Sequence, residues 1–155
     1  PVDGGNPTDG GQGNDYPLCS TLDSANGKAI FLALDTGTET AQLMGQGNDF
    51  EQSCTGVNLS GIGEEVVFKK YIDTNETFYF SVDVDTNADL ILYIVDDCIN
   101  PICLEGFDSG GGGQTESNSF TNTGLFRDLY LIVDEWAVSN SGLDYGEVTL
   151  TYNIQ

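Results

Sequence analysis

The densest set of oxygen ligands in the chain is Asp83-Val84-Asp85-Thr86-Asn87-Ala88-Asp89, with an acid or amide at every second position. That alternation resembles the first half of a calcium loop, in which hard oxygen donors converge on a divalent cation. It departs from an EF-hand, because Ala88 replaces the turn glycine and Ile94 stands where a bidentate glutamate would close the site. Asp83, Asp85, Asn87 and Asp89 are therefore expected either to hold calcium at the edge of a sheet or to form a polar turn. A second candidate set lies in the first fifteen residues, where Asp3, Asp9 and Asp15 stand with Asn6 and Asn14 among glycines that would let carbonyls fold around an ion.

Other motifs are less specific. Leu34-Asp35-Thr36-Gly37-Thr38 matches the Asp-Thr-Gly core of aspartic proteases, which need two such aspartates sharing a proton, and the chain has one copy. Two-carboxylate glycosidase chemistry needs only a pair of acids at fixed separation, and no pair stands out. The run Gly110 to Gly113 is followed by no Lys-Ser/Thr, so it reads as a hairpin tip and not as a phosphate loop. Trp136 and Tyr145 are candidate contacts for a sugar or peptide, with packing at the rim of the core as the alternative. Asn58-Leu59-Ser60 and Asn75-Glu76-Thr77 are glycosylation sequons.

Charge and composition narrow the choice. Twenty-five acidic residues face four basic ones and no histidine, a net charge of −21 over 155 residues. Lys28, Lys69, Lys70 and Arg127 cannot form the basic stripe that a nucleic-acid backbone requires, and an anionic membrane surface repels the chain. Without histidine there is no Ser-His-Asp, Cys-His or His-zinc chemistry. The longest apolar runs, Ala29 to Leu34 and Leu90 to Val95, are far shorter than the ~20 residues of a membrane-spanning helix. No signal peptide is visible, so Pro1 reads as a mature or excised start.

Cys19, Cys54, Cys98 and Cys103 lack the paired spacing of a zinc site and read as two disulfides of a secreted or cell-surface protein. Three pairings are possible. Spacing favours Cys98 with Cys103 around Pro101, which leaves Cys19 with Cys54.

These groups must be positioned by strands. Phe78, Phe80, Val82 and Val84 alternate with Tyr79, Ser81 and Asp83; Leu129, Leu131 and Val133 alternate with Tyr130, Ile132 and Asp134; Val148, Leu150 and Tyr152 alternate with Thr149 and Thr151. Period two argues for half-buried strands. Lys28 to Leu34, Glu65 to Tyr71, Asp89 to Val95 and Glu116 to Thr121 are further candidates. Asp35 to Phe50 is too polar for a core strand and is expected to be an irregular crossover or a short helix. Turn clusters at Asp73-Thr74-Asn75, Gly110 to Gly113 and Ser139 to Gly142 separate the strands. The expected fold is all-β, an antiparallel sandwich of seven to nine strands in a jelly-roll or immunoglobulin-like arrangement over residues 19–155, behind a Gly/Asp-rich tail or linker over 1–18.

The order of features resembles the bacterial pre-peptidase C-terminal domain family of secreted β-sandwiches. The resemblance rests on Cys19, Asp35-Thr36-Gly37 with Thr40-Ala41, Asn48-Asp49-Phe50 before Cys54, and Glu64-Glu65-Val66-Val67-Phe68. It continues through Asp89-Leu90-Ile91-Leu92-Tyr93-Ile94, Asp97-Cys98, Tyr130-Leu131-Ile132-Val133-Asp134 and Asp144-Tyr145-Gly146-Glu147-Val148-Thr149-Leu150. It implies a non-catalytic module of a larger extracellular protein, with calcium bound in some relatives by acids of the N-terminal linker. After Cys103 the chain departs from the pattern, carrying Glu105-Gly106-Phe107-Asp108 where relatives often have an Asn-Asp-Asp cluster. The expected partners are an extracellular protein, a polysaccharide, or copies of the chain itself joined through the tail to build a filament.

Overall fold

The computed structural model describes residues 29–43, 54, 57, 65–96, 102–136 and 146–155, and no helix occurs among them. Nine strands follow in chain order: β1 (Ile30–Phe31), β2 (Thr36–Gln42), β3 (Glu65–Ile72), β4 (Thr77–Val84), β5 (Leu90–Val95), β6 (Cys103–Phe107), β7 (Glu116–Thr121), β8 (Arg127–Glu135) and β9 (Glu147–Ile154). They form a five-stranded sheet, β1-β3-β8-β5-β6, and a four-stranded sheet, β2-β9-β4-β7. The expected sandwich is thus present, and every pairing except the short parallel β1–β3 contact is antiparallel. Residues 1–18, including Asp3, Asp9 and Asp15, lie outside the described residues.

Alternation builds two apolar layers. Phe68, Leu92, Leu129, Leu131 and Val133 of the first sheet meet Phe78, Phe80, Val82, Leu150 and Tyr152 of the second, and this interface is the main core. Edge-to-face contact of Phe80 with Phe107, 5.4 Å between ring centroids, joins β4 to β6 across it. The opposite face of the five-stranded sheet is buried too. Val67, Ile91, Tyr93, Val95, Tyr130 and Ile132 pack there with Ala29, Cys54 and Val57. Burial on both faces explains why β5 reads Leu-Ile-Leu-Tyr-Ile-Val without a polar alternate.

Three expectations need correction. Within the stretch expected as an irregular crossover or short helix, Thr36–Gln42 is a strand, paired from Thr36↔Asn153 to Gln42↔Glu147 along β9. Its polar composition belongs to a sheet edge with alternately exposed side chains, a position that core-based reasoning overlooks. Of the expected strand Lys28 to Leu34, Lys28 lies outside the described residues and, among those described, only Ile30–Phe31 is strand. Beyond it the chain passes between sheets, where the Lys70 ammonium donates to the carbonyls of Leu32 (3.3 Å) and Leu34 (2.6 Å) and to Asp35 Oδ1 (3.0 Å).

The third correction concerns the cysteines. Cys54 bonds Cys103, with Cα atoms 5.4 Å apart, and not Cys19, while Cys103 does not bond Cys98. Sequence distance favoured the short loop, but Cys103 is opposite Val95 in the β5–β6 ladder and therefore faces the outer layer that contains Cys54. Cys19 and Cys98 lie outside the described residues. Gly106 makes the approach possible, since a Cβ there would fall 2.6 Å from Val57 Cγ2 and 2.9 Å from Cys54 Cβ.

Candidate functional site

The acidic array does not converge on one point. Asp83, next to last in β4, has its side chain exposed, and its Oδ1 accepts from Thr115 Oγ1 at 2.9 Å. Asp85 is also exposed and accepts the Glu147 amide at 2.7 Å. Asn87 sits on the turn against the glycine run, whose Gly113 adopts φ +71° and donates its amide to the Ala88 carbonyl at 2.8 Å. Asp89, half-buried, lies past the turn, and its Oδ1 has no hydrogen-bond partner. Burial first, then the charges of Asp108 and Glu116, hold its carboxyl above the ordinary value. Among the described residues no three acidic or cysteine side chains are gathered where they could hold a metal ion.

The glycine run forms a turn, but not the hairpin tip that was expected: it carries the chain from β6 at the edge of the five-stranded sheet to β7 at the edge of the four-stranded sheet, and these two strands do not pair. Glu116, buried, anchors it by accepting from the Ser109 amide (3.2 Å), the Ser109 hydroxyl (2.7 Å) and the Gly110 amide. Asp35 of the Asp-Thr-Gly sequence pairs with Lys70, and Gly37 lies under the Tyr152 ring, so the motif serves the crossing between sheets. Trp136 is half-buried against the outer apolar layer, with its amide donating to the Asp89 carbonyl at 2.7 Å. Tyr145 lies outside the described residues.

A surface cluster that the sequence reading did not single out stands where the chain crosses from β7 of the four-stranded sheet to β8 of the five-stranded sheet. Leu125 is 79% exposed and Phe126 62%, and the Phe126 ring lies 6.0 Å from that of Tyr71, itself 45% exposed. Hydrocarbon this exposed on a turn needs a rigid support. Asn122 supplies it: wholly buried, it donates its amide nitrogen to the carbonyls of Leu125 (2.8 Å) and Asp73 (3.1 Å), while its Oδ1 accepts from the Gly124 amide (3.2 Å). Backbone bonds from Asn75 N to Asn122 O (2.7 Å) and from Asn122 N to Glu76 O (2.9 Å) tie the turn to the connection between β3 and β4.

The rim of this cluster is acidic. The Tyr71 hydroxyl is held above its ordinary value, first by local desolvation and then by Asp73, Asp128 and Glu76. Nearby cations are already engaged, Lys69 with Asp128 at 2.7 Å and Arg127 with Asp96 at 3.6 Å. An apolar centre with a carboxylate rim can receive a hydrophobic side chain flanked by positive charge. The sequence signal was an adjacent Leu-Phe pair directly after the polar run Thr121 to Gly124, where turn chemistry alone would favour small polar residues.

No protein-family model and no curated protein matches the sequence. Solved structures do match in fold. The pre-peptidase C-terminal domain of a collagenase from Bacillus anthracis superposes with a TM-score of 0.51 at 14% identity, over 82% of this chain and 94% of that domain. PliG of Aeromonas hydrophila, a periplasmic inhibitor of g-type lysozyme, superposes with a TM-score of 0.53 at 8% identity, over 84% of this chain and all of the inhibitor. At such identities the likeness is one of fold, and the chain has a sandwich like that of the pre-peptidase C-terminal domain.

Proposed function

We propose that the chain is a non-catalytic module of a secreted or cell-surface protein, and that it binds another extracellular protein through Tyr71, Leu125 and Phe126. The observation that carries this reading is the exposed Leu125-Phe126 pair on a turn that Asn122 holds rigid, because ordering costs are then met before binding. A protein ligand fits better than a polysaccharide. The two most exposed side chains of the cluster are pure hydrocarbon, whereas a sugar needs polar partners beside any stacking ring. A basic flank on the partner would complement Asp73 and Glu76, and the net charge of −21 would speed its encounter. The disulfide and the fold shared with a collagenase domain and a periplasmic inhibitor support an extracytoplasmic setting. Calcium enters the same proposal as a stabiliser that neutralises exposed carboxylates such as Asp83 and Asp85.

The test is an array of synthetic peptides carrying an apolar residue flanked by Lys/Arg or by Asp/Glu, read beside a panel of neutral polysaccharides. Salt-sensitive binding to the basic set that is lost in Leu125→Ser and Phe126→Ala is expected. Salt-insensitive binding to a polysaccharide, or binding unchanged in both variants, would overturn the proposal.

A further inference from the structure

The connection between β3 and β4 carries a side chain that the fold does not use. Asp73 to Glu76 form a turn closed by the Glu76 amide, which donates to the Asp73 carbonyl at 3.3 Å, and Asn75 stands at its third position with φ +69°. A positive φ at that position alone is what a type II turn requires, and asparagine tolerates it where most side chains do not. The backbone of the turn is engaged throughout. Asn75 donates its amide to the Asn122 carbonyl (2.7 Å), the Glu76 carbonyl accepts from the Asn122 amide (2.9 Å), and the Asp73 amide donates to Glu76 Oε2 (2.6 Å). The Asn75 side chain is exposed and makes no hydrogen bond among the described residues. Backbone geometry thus accounts for the residue type and leaves its carboxamide in water.

Two neighbours make that carboxamide a substrate. Asn75-Glu76-Thr77 is a glycosylation sequon, with the Thr77 hydroxyl two residues on. Two residues ahead stands Asp73, exposed, a carboxylate that a cationic group of an enzyme can grip; the other sequon, at Asn58, has Gly56 in that place and lies outside the described residues. We propose that Asn75 is a site of N-linked glycosylation, filled during export from a lipid-linked pyrophosphate oligosaccharide before the strands around it pair. In the transfer Asn75 Nδ2 loses one proton and bonds to C1 of the first sugar. The C1–O bond breaks, and the lipid pyrophosphate leaves with the bonding pair. This inference rests on the extracytoplasmic setting proposed above and not on the binding cluster.

The order follows from what holds Thr77 in the folded chain. Its Oγ1 pairs with Thr121 Oγ1 at 2.9 Å, and its backbone exchanges two hydrogen bonds with Gln155, at 2.7 and 3.0 Å. Strand β4, which Thr77 begins, is flanked by β7 and β9, both much later in the sequence. A chain crossing a membrane presents the sequon while those partners are still absent. After folding, an enzyme reaches it only when the start of β4 lifts away from both neighbours.

The experiment takes the protein from the organism that makes it, separates cytosol from the extracytoplasmic fraction, and maps its peptides by mass spectrometry with electron-transfer fragmentation. An extracytoplasmic chain with sugar on Asn75 is expected, the sugar lost in Thr77→Ala and kept in Thr77→Ser. An extracytoplasmic chain with bare Asn75 would overturn the site and leave the setting intact, whereas a cytosolic chain would overturn both. Sugar on Thr74 or Thr77 in place of Asn75 would also overturn it. If Thr77→Ala does not fold, the map of the wild type decides alone. The order has its own test, in which a synthetic peptide spanning residues 70–80 and the folded chain from a host without the transferase are each offered to an oligosaccharyltransferase with its lipid-linked donor. The peptide is expected to be modified roughly tenfold faster or more, because the folded chain reacts only through its open fraction. Equal rates would refute attachment before folding.

Discussion

Replacing Lys70 with methionine keeps the apolar stem and removes the ammonium that pins the crossing between the sheets. Its three acceptors differ in kind. Asp35 is 82% exposed and can turn to water, but the Leu32 and Leu34 carbonyls, at 3.3 and 2.6 Å, belong to a segment with no ladder partner at those atoms. Hydrogen bonds from a charged donor contribute roughly 1.5 kcal/mol or more each, so losing both carbonyl bonds should cost about 3 kcal/mol. In a chain of this size that lowers the melting temperature by roughly 6–12 °C. Asp35→Asn breaks only the exposed ion pair and should cost less than about 1 kcal/mol. Scanning calorimetry of both variants at pH 7 separates the two contributions. Equal costs would refute the reasoning, because the ion pair and not the carbonyl bonds would then fix the crossing.

Two further outcomes are expected. Peptide mapping without reduction should recover Cys54 joined to Cys103, and the Cys54→Ser/Cys103→Ser double variant should lose about 4 kcal/mol in urea unfolding, the loop-closure value for a separation of 49 residues. Asn122→Ala leaves the Asp73 and Leu125 carbonyls without their donor, so it should cost roughly 2–3 kcal/mol and weaken peptide binding with Tyr71, Leu125 and Phe126 all still present.

What the sequence disclosed follows from period-two patterning. β4, β8 and β9 were legible because they alternate or bury both faces, and β5 because a six-residue apolar run between turns has few other uses. β2 and β6 were missed for one reason: an edge strand needs only one buried row, and Thr36–Gln42 and Cys103–Phe107 carry polar residues or glycine at alternate positions. The disulfide was legible as chemistry but not as connectivity, since partner choice depended on which face of β6 Cys103 occupies. The surface cluster was hidden because Phe126 is next to Tyr71 only after β3 and β8 pair. Asp134 was written into the strand reading as a polar alternate, and only the second apolar layer shows that its face is closed to water.

The scarcity of cations also bears on survival among digestive enzymes. A protease that cuts after lysine or arginine must draw an extended stretch of chain into its cleft. Lys69 and Lys70 lie in β3 and Arg127 in β8, strands hydrogen-bonded to each other within the five-stranded sheet. At these three positions the folded chain offers such an enzyme no substrate until the sheet itself opens. Cleavage there would track the opening of the sandwich and not the encounter with the protease.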